Sequence, residues 1–240
     1  NVWFEGKAPL HLVAWGLLAV ACMTVGCRPR EDLSDVTPGP RGPVDSSLLT
    51  GDPCEPPCWQ GLTPRISTEA EVDEFLRTSE LVAQPTFHWG YLYDSAGEPV
   101  ALQASWRSAG YTVGEFYLNS ASVDDGLLRS INIHLDYDAT CQEVLERYGV
   151  PYKLWSAPAG THDPFVLVEL YYPERGLSVQ VEVPRHDAEL RPDSPVTEVW
   201  YFAPVTRERF LDEAYDKGIP MPGDLENWLW DWQGYGPVDW

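Results

Sequence analysis

The segment 177–183 reads LSVQVEV and alternates apolar and polar residues without interruption. Leucine or valine occupies every odd position, and serine, glutamine or glutamate every even one. Because successive side chains of a β-strand point to opposite faces of its sheet, the pattern predicts a strand with one buried face and one face in water. An antiparallel sheet that is covered on one side is the expected setting.

Further strands are predicted on both sides of this segment. They share β-branched and aromatic residues and are bounded by turn residues, as in DSAG at 94–97 and DDG at 124–126. The predicted strands are 86–93, 100–107, 111–119, 127–135, 165–172 and 197–203.

Two helices begin with the same signal. Thr68 is followed by Glu71 and Thr140 by Glu143, and each pair forms a capping box in which two side chains satisfy free helix N–H groups. Each box precedes apolar residues that share a helical face. The repeated order predicts an α+β fold of two tandem units, 54–138 and 139–205. Each unit would contain one helix and three or four antiparallel strands, with the helices on one sheet face.

The C-terminal part, 206–240, is predicted to hold a helix capped by Thr206 and a tail rich in tryptophan, NWLWDWQGYG at 227–236. In an extended tail Trp228, Trp230 and Trp232 would point the same way. With Tyr235 they are a candidate stacking platform for a glycan or a peptide. The alternative is that these rings pack on the domain, which fits the rarity of exposed apolar stripes.

Composition and charge exclude one class of partner. The 240 residues include 37 Asp and Glu against 16 Lys and Arg, which gives a formal charge of −21. Nucleic-acid binding depends mainly on neutralising phosphates with cations, so no nucleic-acid partner is expected. The aromatic fraction of 12% is sufficient for a packed core.

The N-terminal part predicts export. Residues 8–27 carry no charged side chain, which is typical of a secretory signal. The stretch ends MTVGC and resembles the lipobox of bacterial lipoproteins, so 1–26 is predicted to be a signal peptide and Cys27 the lipidated N-terminus. A weaker candidate is Cys22, and the other readings are an uncleaved anchor followed by Arg28 and Arg30, or plain secretion. All of them place the body of the protein outside the cytoplasm.

A tether is predicted between this anchor and the domain. Residues 27–53 are rich in proline and glycine and show almost no apolar periodicity. Directly after it come Cys54 and Cys58, separated by three residues in a proline-rich turn. In an oxidising compartment this spacing favours a small disulfide loop. The remaining Cys141 lies at a helix start, either as a buried small residue or as a thiol whose pKa the helix dipole lowers.

No catalytic or metal-binding signature emerges. The five histidines are scattered, and His134 is expected in water on the polar face of its strand. Asp136 and Asp138 could contribute to a Ca²⁺ site, but no third ligand follows at loop spacing. The chain is therefore predicted to be neither an enzyme nor a carrier of a metal or cofactor.

Several motifs resemble a group of uncharacterised bacterial lipoproteins. They are PCWQGLTP at 57–64, YGVP at 148–151, LYYPERGL at 170–177 and VTEVWYF at 196–202. The match covers most of 54–205, and it departs from the group at Arg65, where the pattern usually has glycine. More distantly, the scheme is similar to the small lipoproteins of outer-membrane assembly and to β-lactamase inhibitor protein.

This resemblance implies a binding module without catalysis. The expected function is that of a membrane-anchored, extracytoplasmic lipoprotein that binds a cell-envelope protein or assists envelope assembly. The alternatives are a polysaccharide-binding module that uses the tail tryptophans and, more remotely, a glycoside hydrolase, which needs only two suitably placed carboxyl groups.

Overall fold

The computed structural model describes residues 42–240 apart from 85, 94–96, 111–118, 218, 220–228 and 239. The helices are α1 (Ser47–Thr50), α2 (Glu69–Thr78), α3 (Cys141–Tyr148) and α4 (Phe210–Lys217). The strands are β1 (His88–Tyr93), β2 (Pro99–Trp106), β3 (Asn119–Asp124), β4 (Leu127–His134), β5 (Lys153–Pro158), β6 (Phe165–Tyr172), β7 (Leu177–Pro184), β8 (Glu189–Leu190), β9 (Val196–Phe202) and β10 (Gly236–Pro237).

Eight of these strands form one continuous antiparallel sheet in the order β1-β2-β3-β4-β9-β7-β6-β5. The predicted fold class, two tandem helix-plus-strand units with helices on one face, is therefore wrong. Strand β9 lies between β4 and β7 and pairs with both, from Ser130 with Phe202 to His134 with Glu198 on the β4 side. In two separate units, the backbone N–H and C=O groups at the strand edges would be exposed, and this pairing gives them hydrogen-bond partners. Periodicity in the sequence cannot reveal which strands pair.

The two capping boxes are confirmed. In α2 the side chain of Thr68 accepts from the Glu71 N–H and the Glu71 carboxylate accepts from the Thr68 N–H. Thr140 and Glu143 make the same pair of bonds at the start of α3. These signals act within one turn of chain, which is why the sequence alone locates them.

One face of the sheet, here called the inner face, packs against α2 and α3. Val72 and Leu76 of α2 and Val144 of α3 share one buried cluster with strand residues such as Ile131 and Val179. The cluster includes apolar residues of β4, β6, β7 and β9, so a single core lies under the sheet.

The folded part begins before residue 54. Within the predicted tether, Leu48 of α1 is buried in the inner-face core, and Asp45 accepts hydrogen bonds from the ring nitrogen of Trp59 and from Gln60 Nε2. Leu48 and Leu49 are the adjacent apolar pair of that proline-rich stretch, and burying the pair favours order over an extended linker.

The other sheet face, here called the outer face, carries a second apolar cluster at one end. Phe210 and Ala214 of α4 pack there with Tyr171 and Phe202. Tyr171 alternates with the inner-face residues Leu170 and Tyr172, which places α4 on the opposite side from α2 and α3.

The tail follows the edge of β5. The backbones of Leu154 and Trp230 form an antiparallel bridge, and Lys153 pairs with Asp231 at 2.7 Å. Farther on, β10 pairs with β8, and Val238 packs on the inner-face core. The tail thus contributes to the fold along the outermost strand of the sheet.

Candidate binding cleft

A row of side chains crosses the outer face in register. Trp155 of β5 is opposite Glu169 of β6, which is opposite Gln180 of β7. Gln180 in turn is opposite Glu198 of β9, which is opposite His134 of β4. Directly opposed residues of antiparallel strands point to the same face. The five strands therefore place an indole, a carboxyl group, an amide, a second carboxyl group and an imidazole side by side across the outer face.

Glu198 is held in place by three neighbours. The ring nitrogen of Trp200 donates to Glu198 Oε1 at 2.6 Å, and Asn132 Nδ2 donates to the same oxygen. His134 Nδ1 lies 3.5 Å from Glu198 Oε2. Burial lowers the pKa of His134 and the charge of Glu198 opposes that shift. The predicted solvated histidine is half-buried and pairs with a carboxylate.

Glu169 is the most buried carboxyl group of the row. It is 4% exposed, and its Oε1 has no hydrogen-bond partner among the described residues. Burial raises the pKa of Glu169 to about 8; the hydroxyl of Ser178 opposes part of this rise, and the charge of Glu198 adds to it. The carboxyl group is therefore largely protonated at neutral pH.

Beside this row the outer face opens into a cavity of about 580 Å³. Its walls come from the ends of β4, β7 and β9, from β6, and from the segments 135–140 and 193–195. The lining residues are His134, Leu135, Tyr137, Asp138, Ala139, Thr140, Ala159, Leu167, Gln180, Glu182, Asp193, Pro195, Val196 and Thr197. The volume lies within the range of about 300–1,000 Å³ that is common for ligand sites.

A bulge shapes the floor of the cavity. The register between β7 and β9 shifts between Gln180 and Val181, so that Thr197 is left between two paired positions. Such an extra residue bends a strand and redirects side chains. Thr197 Oγ1 accepts from Gln180 Nε2 at 3.3 Å, which fixes the amide at the cavity floor.

The cavity walls are acidic. Asp138, Glu182 and Asp193 line the cavity, and no Lys or Arg is among its described lining residues. Burial raises the pKa of Glu182, with a further rise from the charge of Glu198 and opposition from the hydroxyl of Thr197. Bringing this charge out of water is unfavourable, and a positively charged group would offset the cost.

The start of α3 also reaches the cavity at Thr140, but its N–H groups are occupied. The N–H groups of Cys141 and Gln142 donate to the carbonyl oxygens of Ser194 and Pro192, each at 2.9 Å. Glu143 N donates to Thr140 Oγ1 at 3.3 Å. A helix start binds anions through free N–H groups, so this end offers an anion little.

The predicted cysteine sites have different outcomes. The sulfur atoms of Cys54 and Cys58 lie 2.08 Å apart, at disulfide distance. Cys141 is fully buried, and burial raises its pKa to about 12, so the helix dipole does not activate the thiol. The lipidation site Cys27 lies outside the described residues and stays a prediction.

The tail residues do not form an exposed row. Trp230 and Trp232 are half-buried, and Trp232 packs on the inner-face core. The rings of Trp232 and Tyr235 have centroids 5.7 Å apart, and Tyr235 is exposed. Trp228 lies outside the described residues.

The two aspartates considered for Ca²⁺ have different surroundings. Ser108 donates to Asp136 Oδ2, and burial raises the pKa of Asp136. Asp138 instead lines the cavity. In the part of the chain that the structure describes, no group of three or more His, Cys, Asp or Glu side chains could hold a metal ion.

Sequence reasoning missed Glu169, Glu182 and Glu198. Glu169 interrupts an otherwise apolar strand, FVLVELYY, and a lone acid in a buried strand is the signal that could have identified it. Glu182 alternates with buried valines and is typical of a solvated position, and no pattern in VTEVWYF singles out Glu198. Only the pairing of β7 with β9 brings them near each other.

Comparison with known proteins adds no relative, since no protein-family model, curated protein or solved structure matches this chain. The lipoprotein resemblance stays a prediction. Within the described residues no helix is long and apolar enough to cross a membrane.

Proposed function

We propose that this chain is a non-catalytic, extracytoplasmic lipoprotein that binds a cell-envelope protein through the outer-face cleft. The single observation that carries the proposal is the cavity of about 580 Å³ beside the cross-strand row. It offers amide, hydroxyl, imidazole and carboxylate groups beside the apolar side chains of Leu135, Leu167 and Val196. Convergent polar groups on an apolar surface are the usual composition of a binding site.

Rigid elements support the cleft. Gln180, Glu182 and Thr197 lie on strands inside the eight-stranded sheet rather than on loops. Strand-borne residues hold their positions without a cost of ordering on binding, which favours affinity. Asp193 lies in a loop whose neighbours Pro192 and Ser194 accept hydrogen bonds from α3.

Glu169 and Glu198, the two carboxyl groups of the cross-strand row, do not fit the requirements of a glycoside hydrolase as well as the cleft fits those of a binding site. A glycoside hydrolase needs an acid and a second carboxylate that both reach the substrate. Glu169 has the raised pKa that an acid catalyst needs, but it is 4% exposed and does not line the cavity.

Filling the cavity tests the proposal. Thr197→Trp would place an indole in the cleft, whereas Leu211→Trp adds the same ring at an exposed position of α4. Each full-length protein is incubated with solubilised envelope proteins, and the retained proteins are identified by mass spectrometry. The proposal expects at least one protein that the wild type and Leu211→Trp retain and Thr197→Trp loses. Equal retention by all three would contradict a role of the cleft.

A further inference from the structure

We infer that the edge of the sheet at β1 is a dimerisation surface, where β1 of a second copy of this chain adds as an antiparallel strand. The inference goes beyond the proposed function, because no residue of β1 lines the outer-face cleft. It is carried by the open edge of β1, by the exposed side chains of that strand and by the match of the strand to itself.

The edge of β1 offers unpaired backbone groups. Strand β1 ends the eight-stranded sheet, and among the described residues only β2 pairs with it. The register with β2 shifts only between Leu92 and Tyr93, so 88–92 form a regular strand. In an antiparallel strand every second residue directs its N–H and C=O to the same side, and on the side away from β2 the described backbone supplies no partner. An extended strand is the shape that satisfies such a row of donors and acceptors.

The opposite edge of the sheet shows how this chain covers a strand. There the tail pairs with β5 through two backbone hydrogen bonds between Leu154 and Trp230, of 3.0 and 2.9 Å. Asp231 of the tail also pairs with Lys153 of β5. The covering segment is extended and rich in aromatic residues. Strand β1 contains no Lys, Arg, Asp or Glu, so a strand that covers it needs no charge of its own.

The side chains of β1 do not protect its edge. Edge strands usually carry Lys, Pro or another charge that prevents pairing, whereas HWGYLY has none of these except His88 at its start. Tyr91 is 62% exposed, Leu92 37% and Tyr93 61%, and no other run of consecutive exposed large hydrophobic residues occurs in the described chain. The rings of Tyr91 and Tyr93 have centroids 6.4 Å apart. Covering these side chains would remove apolar surface from water.

Strand β1 itself has the properties that this edge requires. It is extended, contains no carboxylate and has aromatic residues at alternate positions. A two-fold axis normal to the sheet makes two β1 strands antiparallel and keeps the same face of both sheets on one side. The tyrosines of one copy then lie beside those of the other, and no like charges from Asp, Glu, Lys or Arg oppose each other across the pair.

The negative charge of the chain opposes this contact mainly at long range. Asp73 of α2 accepts from the ring nitrogen of Trp89 at 3.1 Å, but it is already paired with Arg77 at 2.7 Å. The remaining repulsion between two chains of formal charge −21 is screened by salt. Dimerisation should therefore strengthen as the salt concentration rises, whereas a contact that depends on ion pairs would weaken.

Sedimentation equilibrium of the full-length protein in detergent tests the inference. We expect a monomer–dimer equilibrium with a Kd of about 1–100 μM, as for a small contact. Leu92→Asp brings a like charge into the interface from each copy and should weaken dimerisation about tenfold. The matched control Leu211→Asp makes the same change at a position of α4 that is 42% exposed, and it should leave the Kd within about twofold. Raising the salt to about 1 M should strengthen the wild-type dimer.

Disulfide trapping in membranes provides a second measurement that needs no detergent and no charged variant. Single cysteines are introduced at the exposed positions of β1, as His88→Cys, Gly90→Cys, Tyr91→Cys, Leu92→Cys and Tyr93→Cys. A two-fold axis brings a residue next to its own copy only at the axis, so one or two of these positions should form a cross-linked dimer. The control Val150→Cys, at a position that is 62% exposed, should not cross-link.

Several results would overturn the inference. Wild-type protein that stays monomeric at about 100 μM has no such contact, and a dimer that Leu92→Asp leaves unchanged forms elsewhere. Cross-linking at all five positions to the same extent as at Val150→Cys would indicate random collision. A β1 cysteine that cross-links to a different protein would assign the edge to a strand of that protein and refute dimerisation. None of these results bears on the proposed function, because the cavity-filling retention experiment tests the cleft separately.

Discussion

Glu169 links the outer face to the pH dependence of folding. Its pKa is about 8 in the folded chain against an ordinary value of 4.5. Between these values the unfolded chain has lost the proton while the folded chain keeps it, so stability falls as pH rises from about 4.5 to 8. The groups that act on it are Ser178 on the adjacent strand β7, Glu198 on β9, which lies beyond β7, and Tyr171 on its own strand.

Replacing this acid with its amide should remove that pH dependence. Glu169→Gln keeps the shape of the protonated side chain, so we expect a flatter profile and higher stability than wild type at pH 8.5. Urea unfolding at pH 5, 7 and 8.5 measures both, with Glu74→Gln as the control for surface charge. An unchanged slope in Glu169→Gln would show that other groups, such as Glu182, cause the dependence.

Gly176 is a position where both the backbone conformation and the close packing of neighbours disfavour a side chain. Its φ is +63°, in the region that disfavours side chains, and an added Cβ would overlap the carbonyl oxygen of Phe202 and lie 2.8 Å from Pro57 Cβ. Gly61 also has a positive φ, +85°, but nothing lies within 4 Å of its added Cβ. Comparing the two positions therefore distinguishes the cost of a positive φ from the cost of steric overlap.

Alanine at each position should therefore give different losses. We expect Gly61→Ala to cost about 1 kcal/mol through φ alone and Gly176→Ala about 2–4 kcal/mol, since overlap is added. Chemical denaturation of both variants provides the comparison. Equal losses of stability in the two variants would mean that the backbone near Gly176 shifts enough to accommodate the extra methyl group.

Arg65 shows what a sequence pattern can reveal at one residue. The motif that this segment resembles usually has glycine there, and Arg65 adopts a positive φ of 63°. A positive φ favours glycine, and Arg65 N donates to the Leu128 carbonyl at 2.7 Å. The departure from the motif led to the expectation of a different first turn, which stays a prediction, and the contact with β4 is visible only in the structure.

At the scale of elements, the Cys54–Cys58 loop is joined to α3. Arg147 Nη2 of α3 donates to Glu55 Oε1 at 2.6 Å, and Pro57 lies against Gly176 at the start of β7.

A closed loop this short removes little entropy from the unfolded chain, so the double variant Cys54→Ser/Cys58→Ser should cost only about 1–2 kcal/mol. Thermal unfolding measures the loss. Peptide mapping without reduction tests the bond, and two free thiols in envelope-derived protein would refute it.

The tail segment that follows the edge of β5 has its own prediction. Trp232 packs on the inner-face core, whereas Trp240 is 45% exposed over Arg185. Trp232→Ala should lower stability by about 2 kcal/mol or more, and Trp240→Ala by less than about 1 kcal/mol. Similar losses would mean that the tail binds the domain weakly, and quenching of its fluorescence by soluble glycans would then favour the stacking platform.

Local sequence signals predicted individual helices and strands better than they predicted which strands pair with each other. The alternating 177–183 segment is in β7, and both capping boxes begin helices, because these patterns depend on neighbours in sequence. Strand β5, KLWSAP, has weak alternation and was missed, and the predicted strand 111–119 falls mostly outside the described residues. The order of strands, with β9 between β4 and β7, depends on long-range contacts that no local pattern encodes.

At the scale of the molecule, the same limit applies to the cleft. Its groups come from several strands and loops, and Glu182 and Glu198 are neighbours only because β7 and β9 pair. Net charge, in contrast, can be read without the fold, and it already argues against a nucleic-acid partner. Sequence therefore argues against one class of partner, whereas the cleft can be located only in the structure.

The last prediction concerns the lipid anchor that the sequence predicts for this acidic chain. A chain with a formal charge of −21 is repelled by anionic lipid, so we expect any membrane retention to come from the N-terminal part rather than from electrostatic attraction. Cys27→Ser should abolish incorporation of a labelled fatty acid, and the matched variant Cys22→Ser should retain it. Membrane release is the poorer readout, because an uncleaved apolar stretch at 8–27 would still hold the variant in the bilayer. Incorporation that survives Cys27→Ser would refute this lipidation site, and its loss in Cys22→Ser alone would move the site upstream.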